Sequence, residues 1–309
     1  MKIHHGYDSL QFINPVVTIG IFDGVHRGHM ALLEKLISRA QESNGESVVM
    51  TFNPHPRLVL DNDSGHLPVL STLEEKETLL AKSGTDHLII IEFTSGFSRM
   101  KASDFIENVL VGKIGTKHLI VGHDHHFGYQ GEGNFDNVKI SAGKMGFVIE
   151  KVEGLETDGV VISSSRIREA LQKGRLEDAN RWLGYSYSLS GTVVEGKKIG
   201  RRIGFPTANI EPRDKYKLVP ANGVYAVEVH EGGSILPGML SIGTNPTVNK
   251  NSMMRSIEVH IFNFEKEIYG REIKIVFRHR LRDEIKFDNT DELASQMMID
   301  RDNAMRMLK

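Results

Sequence analysis

Cysteine is absent from this 309-residue chain, which removes disulfides, thiolate nucleophiles and thiolate metal sites together. That suits a reducing compartment, and a cytoplasmic protein is expected. Long apolar runs are missing as well. LIII at 88–91 is among the longest, far short of the roughly 20 residues that a membrane-spanning helix needs. The segment MKIHHGYDSLQF lacks the apolar stretch of a signal peptide. No membrane partner is therefore expected. Neither sign of charge dominates: the net charge of −2 gives no electrostatic reason for a duplex or an acidic membrane as the main partner. Aromatic residues, at 7%, are too sparse to suggest the stacking platforms of a single-strand-binding barrel. No nucleic-acid partner is expected. No internal repeat or low-complexity segment is visible.

What is present is ordinary for a globular protein, with 39% hydrophobic and 25% charged residues. The length favours two domains. From Val16 to about Ile149, short apolar runs alternate with helical patterns. The runs VVTIGIF, SVVMTF, HLIIIEF, HLIVG and FVIEKV are continuous rather than alternating, as in strands covered on both faces. Between them, one helix is expected to bury Met30, Leu33, Ile37 and Ala40. Another opens on a Thr72–Glu75 capping box and closes near Gly84. A third carries Phe105, Ile106, Val109 and Leu110. The alternation predicts an α/β domain with a doubly wound, Rossmann-like sheet. Two short helices follow over 163–183. After Gly184 the rhythm changes to YSLSGTVV, GVYAVEVH, ILPGMLSIG, RSIEVHIFNF and EIKIVFRHR. These read as a small antiparallel β-barrel or sandwich, closed by a C-terminal helix with a stripe of Ala294, Met297, Met298, Ala304, Met305 and Leu308. The predicted domains are 1–183 and 184–309.

Two stretches carry chemistry. GIFDGVHRGH (20–29) links a predicted strand to a predicted helix. In an open α/β sheet this end of the strand is where ligands bind. Glycines allow close backbone approach, His26 and His29 are spaced to face one way, and a helix N-terminus attracts anions. Together these suit a polyphosphate, although Asp23 could serve only as a cap. HDHH (123–126) also admits a metal reading, weakened because adjacent loop residues rarely point at one ion. In the second half, GKKIGRRIGFPTANI (196–210) interleaves glycines with cations. Thr207 and Asn209 offer neutral oxygens two residues apart, a donor type that magnesium accepts.

GIFDGVHRGH, TFNPHP (51–56), VGHDHHFGYQGEGN (121–134) and ISSSRIREAL (162–171) together resemble the adenylyltransferase half of the bacterial bifunctional riboflavin kinase/FMN adenylyltransferase family. GRRIGFPTAN, NGVYAV, SIGTNPTV, SIEVHIF, YGREI and LRDEIKF resemble its kinase half. The resemblance covers nearly the whole chain. Ile21 stands where the family usually has Asn, His125 where it has Phe, and Ser165 where it often has Thr. The resemblance implies ATP contacts in the first half at Gly20, Phe22, Asp23, Gly24, His26, His29, Ser164 and Arg168, with His26 and His29 acting in catalysis. It implies flavin contacts there at Asn53, Pro54, His55, Asp124 and Phe127. In the kinase half it implies ATP contacts at Gly196, Lys198, Gly200, Arg201, Gly204, Pro206, Thr207 and Asn209. It further implies magnesium on Thr207 and Asn209, Glu258 as the group that activates the ribityl hydroxyl, and Arg282 with Glu258 on the flavin side. The implied partners are riboflavin, FMN, ATP, FAD and pyrophosphate; Mg2+ accompanies ATP, and no tightly bound prosthetic group is expected. Adenylyl or cytidylyl transfer to another phosphate is the second reading, which leaves PTAN unexplained. Oligomeric state is open at this stage.

Overall fold

The computed structural model describes residues 1–60, 68–123, 125–196, 200, 204–244 and 255–309. The chain forms two compact units, Met1–Ser164 and Ser165–Lys309.

The first unit is built on six strands: β1 (Lys2–His5), β2 (Val16–Ile19), β3 (Ser47–Asn53), β4 (His87–Glu92), β5 (His118–Gly122) and β6 (Val148–Val152). They lie in the order β1-β4-β3-β2-β5-β6, and every pairing is parallel. They are accompanied by α1 (Arg27–Glu42), α2 (Pro56–Leu60), α3 (Leu73–Ala81), α4 (Ala102–Asp104, continuing as π-helical Phe105–Val111) and α5 (Phe135–Met145). The strands are apolar on both faces because both are covered. Val17, Ile19, Val48 and Met50 pack with Phe105, Ile106 and Val138. Val16, Val49, Leu88 and Ile90 pack with Leu33, Leu36 and Leu80 on the other side. The fold is thus the doubly wound one expected from the continuous runs. The chain visits β3 and β4 on one side of β2, then crosses to β5 on the other. That reversal opens a crevice at the carboxyl ends of β2 and β5.

Local details differ from expectation. The buried stripe of α1 is Leu32, Leu33, Leu36 and Ala40; Met30 and Ile37 are only half-buried. The predicted capping box of α3 is present, with Thr72 and Glu75 each accepting the other's backbone N–H. β1 was not foreseen, since KIHH has no apolar pattern and joins the sheet edge through its backbone. A small hairpin, β7 (Glu156–Thr157) with β8 (Val160–Val161), leads toward α6 (Ser164–Gln172).

The second unit contains α7 (Leu176–Leu183) and a barrel of β9 (Ser188–Val194), β10 (Ala208–Pro212), β11 (Gly223–Glu231), β12 (Ser234–Thr244), β13 (Arg255–Ile261) and β14 (Glu272–Arg282). The barrel closes in the order β10-β13-β12-β11-β14-β9, antiparallel throughout. The division into units falls ahead of the predicted break at 183/184, because α7 is tied to the barrel. Asn180 donates to the Phe277 carbonyl at 3.0 Å and accepts from the Tyr187 N–H at 2.8 Å. Helix α8 (Thr290–Met307) packs on the barrel through Met297, Ala304 and Leu308, beside Phe205, Ala226 and Phe262. Its predicted stripe needs correction: Met298 and Met305 are exposed. Asp300 is buried in their place, since the Arg282 guanidinium grips its carboxylate.

Candidate active sites

The first candidate site occupies the crevice end of β2. His26 is the N-cap of α1 and His29 its third residue, and the two cap each other. The His29 N–H donates to His26 Nδ1 and the His26 N–H donates to His29 Nδ1, both at 3.3 Å. The rings stack with centroids 3.6 Å apart and planes 16° apart. A ring nitrogen that accepts a hydrogen bond carries no proton, so each neutral ring holds its proton on Nε2. In these tautomers the Nε2 atoms carry the ring protons at the start of the helix, the end whose dipole favours anions. Burial holds the His29 pKa well below the usual histidine range; His26 and the Lys76 ammonium push it the same way. His29 is a neutral donor at pH 7.

The loop before the pair is braced from several sides. The Asp23 carboxylate accepts the Leu70 N–H at 2.9 Å and the Ser71 N–H at 3.0 Å. Asp23 is buried and braces the loop through Leu70 and Ser71, while the N-cap of α1 is His26. The Asp23 carbonyl accepts from Ser164 Oγ at 2.9 Å. The Gly24 N–H donates to Ser71 Oγ at 2.9 Å, with Gly24 at φ +80, a conformation that favours glycine. Phe22 is also buried, its ring centroid 5.1 Å from that of His29, so it packs beneath the pair. A methyl at Gly20 would press on the Phe22 ring. The Ile21 carbonyl accepts from Thr51 Oγ1 at 3.1 Å. Arg168 belongs to the other unit, on α6, where its guanidinium approaches Ser165 Oγ at 3.5 Å.

Lys76 had no signal in the sequence. It reaches from α3 to donate to Thr51 Oγ1 at 3.3 Å and is 5% exposed. Burial pushes its pKa down to about 8, partly opposed by Asp23. The folded value lies below the unfolded one, so the unfolded chain binds more protons between the two. Stability from this group is then complete above about pH 10.5 and lost as pH falls through about 8. Lys76→Met should be the more stable protein toward urea at pH 7, by on the order of 2–3 kcal/mol. That difference should shrink toward pH 10; urea titrations of both proteins at the two pH values check it.

The expected flavin contacts lie at neighbouring strand ends. Asn53 closes β3 and Pro54 follows it, both exposed. His55 is buried and its Nδ1 accepts from the Arg57 N–H at 3.2 Å, which ties it to the start of α2. Asp124 lies outside the described residues. Phe127 ends a chain of rings that runs through Phe105 and Phe97 to Phe52 and Phe93, with neighbouring centroids 5.6–5.9 Å apart. Phe52, Phe93 and Phe97 are half-buried. Phe52 lies on β3 within TFNPHP, while Phe93 and Phe97 follow β4 in a segment that no motif marked. Among the described residues, which do not include Asp124 of HDHH, no group of three His, Asp or Glu could hold a metal ion.

The second candidate site is assembled by β10 and β13. PTAN is not an isolated turn: Thr207 precedes β10 and Asn209 lies within it. Residues two apart on a strand share a face. Asn209 stands opposite Glu258 in the β10–β13 register, and Thr207 Oγ1 donates to Glu258 Oε2 at 3.1 Å. On β13, Ile257, Val259 and Ile261 are buried, while Glu258 and His260 lie on the half-buried face. Gly196 leaves room for the Asn209 amide, which a Cβ there would strike. A Cβ at Gly200 would strike the Phe205 carbonyl, and Gly204 adopts φ +82. A cavity of about 340 Å³ opens beside Pro206 and Thr207, lined also by Val193, Val259, Phe264 and Tyr269. Lys198 and Arg201 lie outside the described residues. The Arg282 guanidinium is bound by Asp300 at 2.6–3.0 Å and by the Asp283 carbonyl at 2.9 Å, so it ties β14 to α8.

Each unit thus carries its own candidate site, and each matches its own family. The FAD synthetase family model matches residues 10–166, and the riboflavin kinase family model matches residues 183–308. The bifunctional riboflavin kinase/FMN adenylyltransferase of Listeria monocytogenes is 40% identical over 96% of this chain and 93% of its own. The chain belongs to the bifunctional riboflavin kinase/FMN adenylyltransferase family. Members from Escherichia coli K12 and Bacillus subtilis are similar to it at 40% and 38% identity, over 92% and 94% of this chain and 90% and 92% of theirs. The family makes the chain a transferase with an adenylyltransferase unit followed by a kinase unit. A solved structure described as a macrolide-efflux protein from Streptococcus pneumoniae is similar over 98% of both chains, with a TM-score of 0.87 and 29% identity. Among the described residues of the present family member, no helix is long and apolar enough to cross a membrane.

Proposed function

We propose that the barrel unit moves the γ-phosphoryl of ATP onto the 5′-hydroxyl of riboflavin, and that the sheet unit joins the resulting FMN to the AMP part of a second ATP. The observation that carries this reading is the meeting of Thr207, Asn209 and Glu258 on one face of two paired strands. A primary alcohol must lose its proton as it attacks phosphorus. Glu258 takes that proton, the new P–O bond forms, and ADP leaves with the electrons of the broken bond. Thr207 Oγ1 and the Asn209 amide oxygen suit magnesium, which keeps water and phosphate among its ligands. When bound, the ion offsets phosphate charge. The apolar lining of the adjacent cavity suits the adenine of ATP.

In the second reaction the attacking atom is already a phosphate oxygen of FMN. No base is needed, so positioning and charge stabilisation dominate. The Nε2–H groups of His26 and His29, with the start of α1, donate to the phosphates of ATP as pyrophosphate departs. Ser164 is proposed to add a further phosphate contact while it holds the Asp23 carbonyl. The half-buried rings of Phe52, Phe93, Phe97 and Phe127 offer an apolar wall for the flavin. Incubation of the purified protein with riboflavin, ATP and magnesium, followed by separation of the flavins, should yield FMN first and FAD after it. Absence of both products would end the proposal.

A further inference from the structure

A hydrogen bond and a ring contact place His260 against the PTAN segment and the Phe205 before it. Its Nδ1 lies 2.8 Å from the carbonyl oxygen of Pro206. A carbonyl only accepts, so the proton of this bond sits on Nδ1. The ring stands edge-on to Phe205 and Phe262, with centroids 5.3 and 5.6 Å away. The backbone explains why a side chain is used here. The β10–β13 pairing runs through Asn209↔Glu258 and Ala208↔Val259. Proline has no N–H, so the ladder cannot gain a donor from residue 206. The imidazole meets the Pro206 carbonyl at the point where the ladder stops.

We propose that His260 is a positioning residue for phosphoryl transfer, its Nδ1–H holding Pro206 so that Thr207 and Asn209 are presented to Glu258. Alternate residues of one strand then pin consecutive residues of the other segment: His260 holds Pro206 and Glu258 accepts from Thr207. Burial pushes the His260 pKa down, and Arg301 adds to this against the bond to Pro206. A neutral ring fits a clamp better than a phosphate-binding cation. The inference rests on the reading of Thr207, Asn209 and Glu258 as the kinase site.

The test uses full-length His260→Asn and His260→Gln. The Asn amide nitrogen falls near the place of Nδ1, whereas that of Gln falls near Nε2. Riboflavin phosphorylation is measured as kcat and as KM for ATP at saturating magnesium, with FMN adenylylation by the same preparations as the internal control. Displacement of a positioned group by about 1 Å can cost about 100-fold. The Gln variant should therefore lose about 10- to 100-fold in kcat/KM, while the Asn variant stays within about threefold of wild type. Adenylylation should be unchanged in both. The Gln penalty should also shrink in a Thr207→Ala background, because the two changes then act on one geometry. Equal kinase rates in the Asn and Gln variants, or a Gln penalty that simply adds to that of Thr207→Ala, would overturn the clamp. If the Gln variant does not fold, the Asn variant decides: retention supports the clamp and a tenfold or larger loss, on the order of 1.4 kcal/mol, removes it. A wild-type protein with no kinase activity would instead overturn the underlying assignment of the site.

Discussion

Glu258→Gln should lower riboflavin phosphorylation by about 100- to 10,000-fold, the usual worth of general base catalysis, and leave adenylylation of supplied FMN in place. Glutamine keeps the length of the side chain and can still accept from Thr207 Oγ1, now 3.1 Å from the carboxylate. What it loses is the capacity to take a proton. The barrel should survive the change, since Glu258 lies on the half-buried face of β13 and the core is made by Ile257, Val259 and Ile261. Turnover of both reactions in this one variant is the measurement. A folded variant that phosphorylates riboflavin at near wild-type rate would falsify the role of Glu258.

Replacing His26 and His29 together with Ala should have the opposite selectivity. FAD formation should fall by on the order of 100-fold or more, as when a preorganised donor to developing charge is lost, and riboflavin phosphorylation should continue. Stability will change too, because each ring caps the other's backbone N–H. Loss of an N-cap typically costs about 1 kcal/mol. The rate measurement must therefore accompany a thermal melt, and the kinase rate serves as reference within the same molecule. An equal fall in both activities would place the histidine pair elsewhere than at the adenylyl-transfer site.

How far these sites were legible in the sequence depended on whether residues worked locally. β2, β3, β4 and β5 were readable because burial on both faces writes a continuous apolar run. The shared direction of His26 and His29 was readable from their spacing, but their mutual cap was not, since Asp23 was the capping residue the sequence offered. β1 was not, because it pairs through backbone atoms that any side chain permits. β10 was hidden by its Pro and Asn residues, which look like a turn until β13 is seen beside it. Asp23 and Arg282 stand out in the sequence as charges within motifs, and only the fold reveals that Asp23 accepts from Leu70 and Ser71 and that Arg282 binds Asp300. Phe52 and Phe127 of the aromatic wall stood within recognised motifs, whereas Lys76, Phe93 and Phe97 gave no signal, because their partners on β3 lie far away in the chain.

The two units also differ in how their sheets end. The barrel closes on itself and so has no edge, whereas the open sheet terminates in β1 and β6. Each of those strands keeps a row of backbone donors and acceptors that another extended chain could pair with. Both carry charge along the exposed rim. Lys2 lies on β1, and on β6 Glu150 is held by Arg39 at 3.0 Å beside Lys151. Charge on an edge strand opposes strand-by-strand association. Neutralising Lys2 and Lys151, by substitution or by lysine acylation, is therefore expected to raise light scattering as the protein is concentrated; unchanged scattering would remove this role.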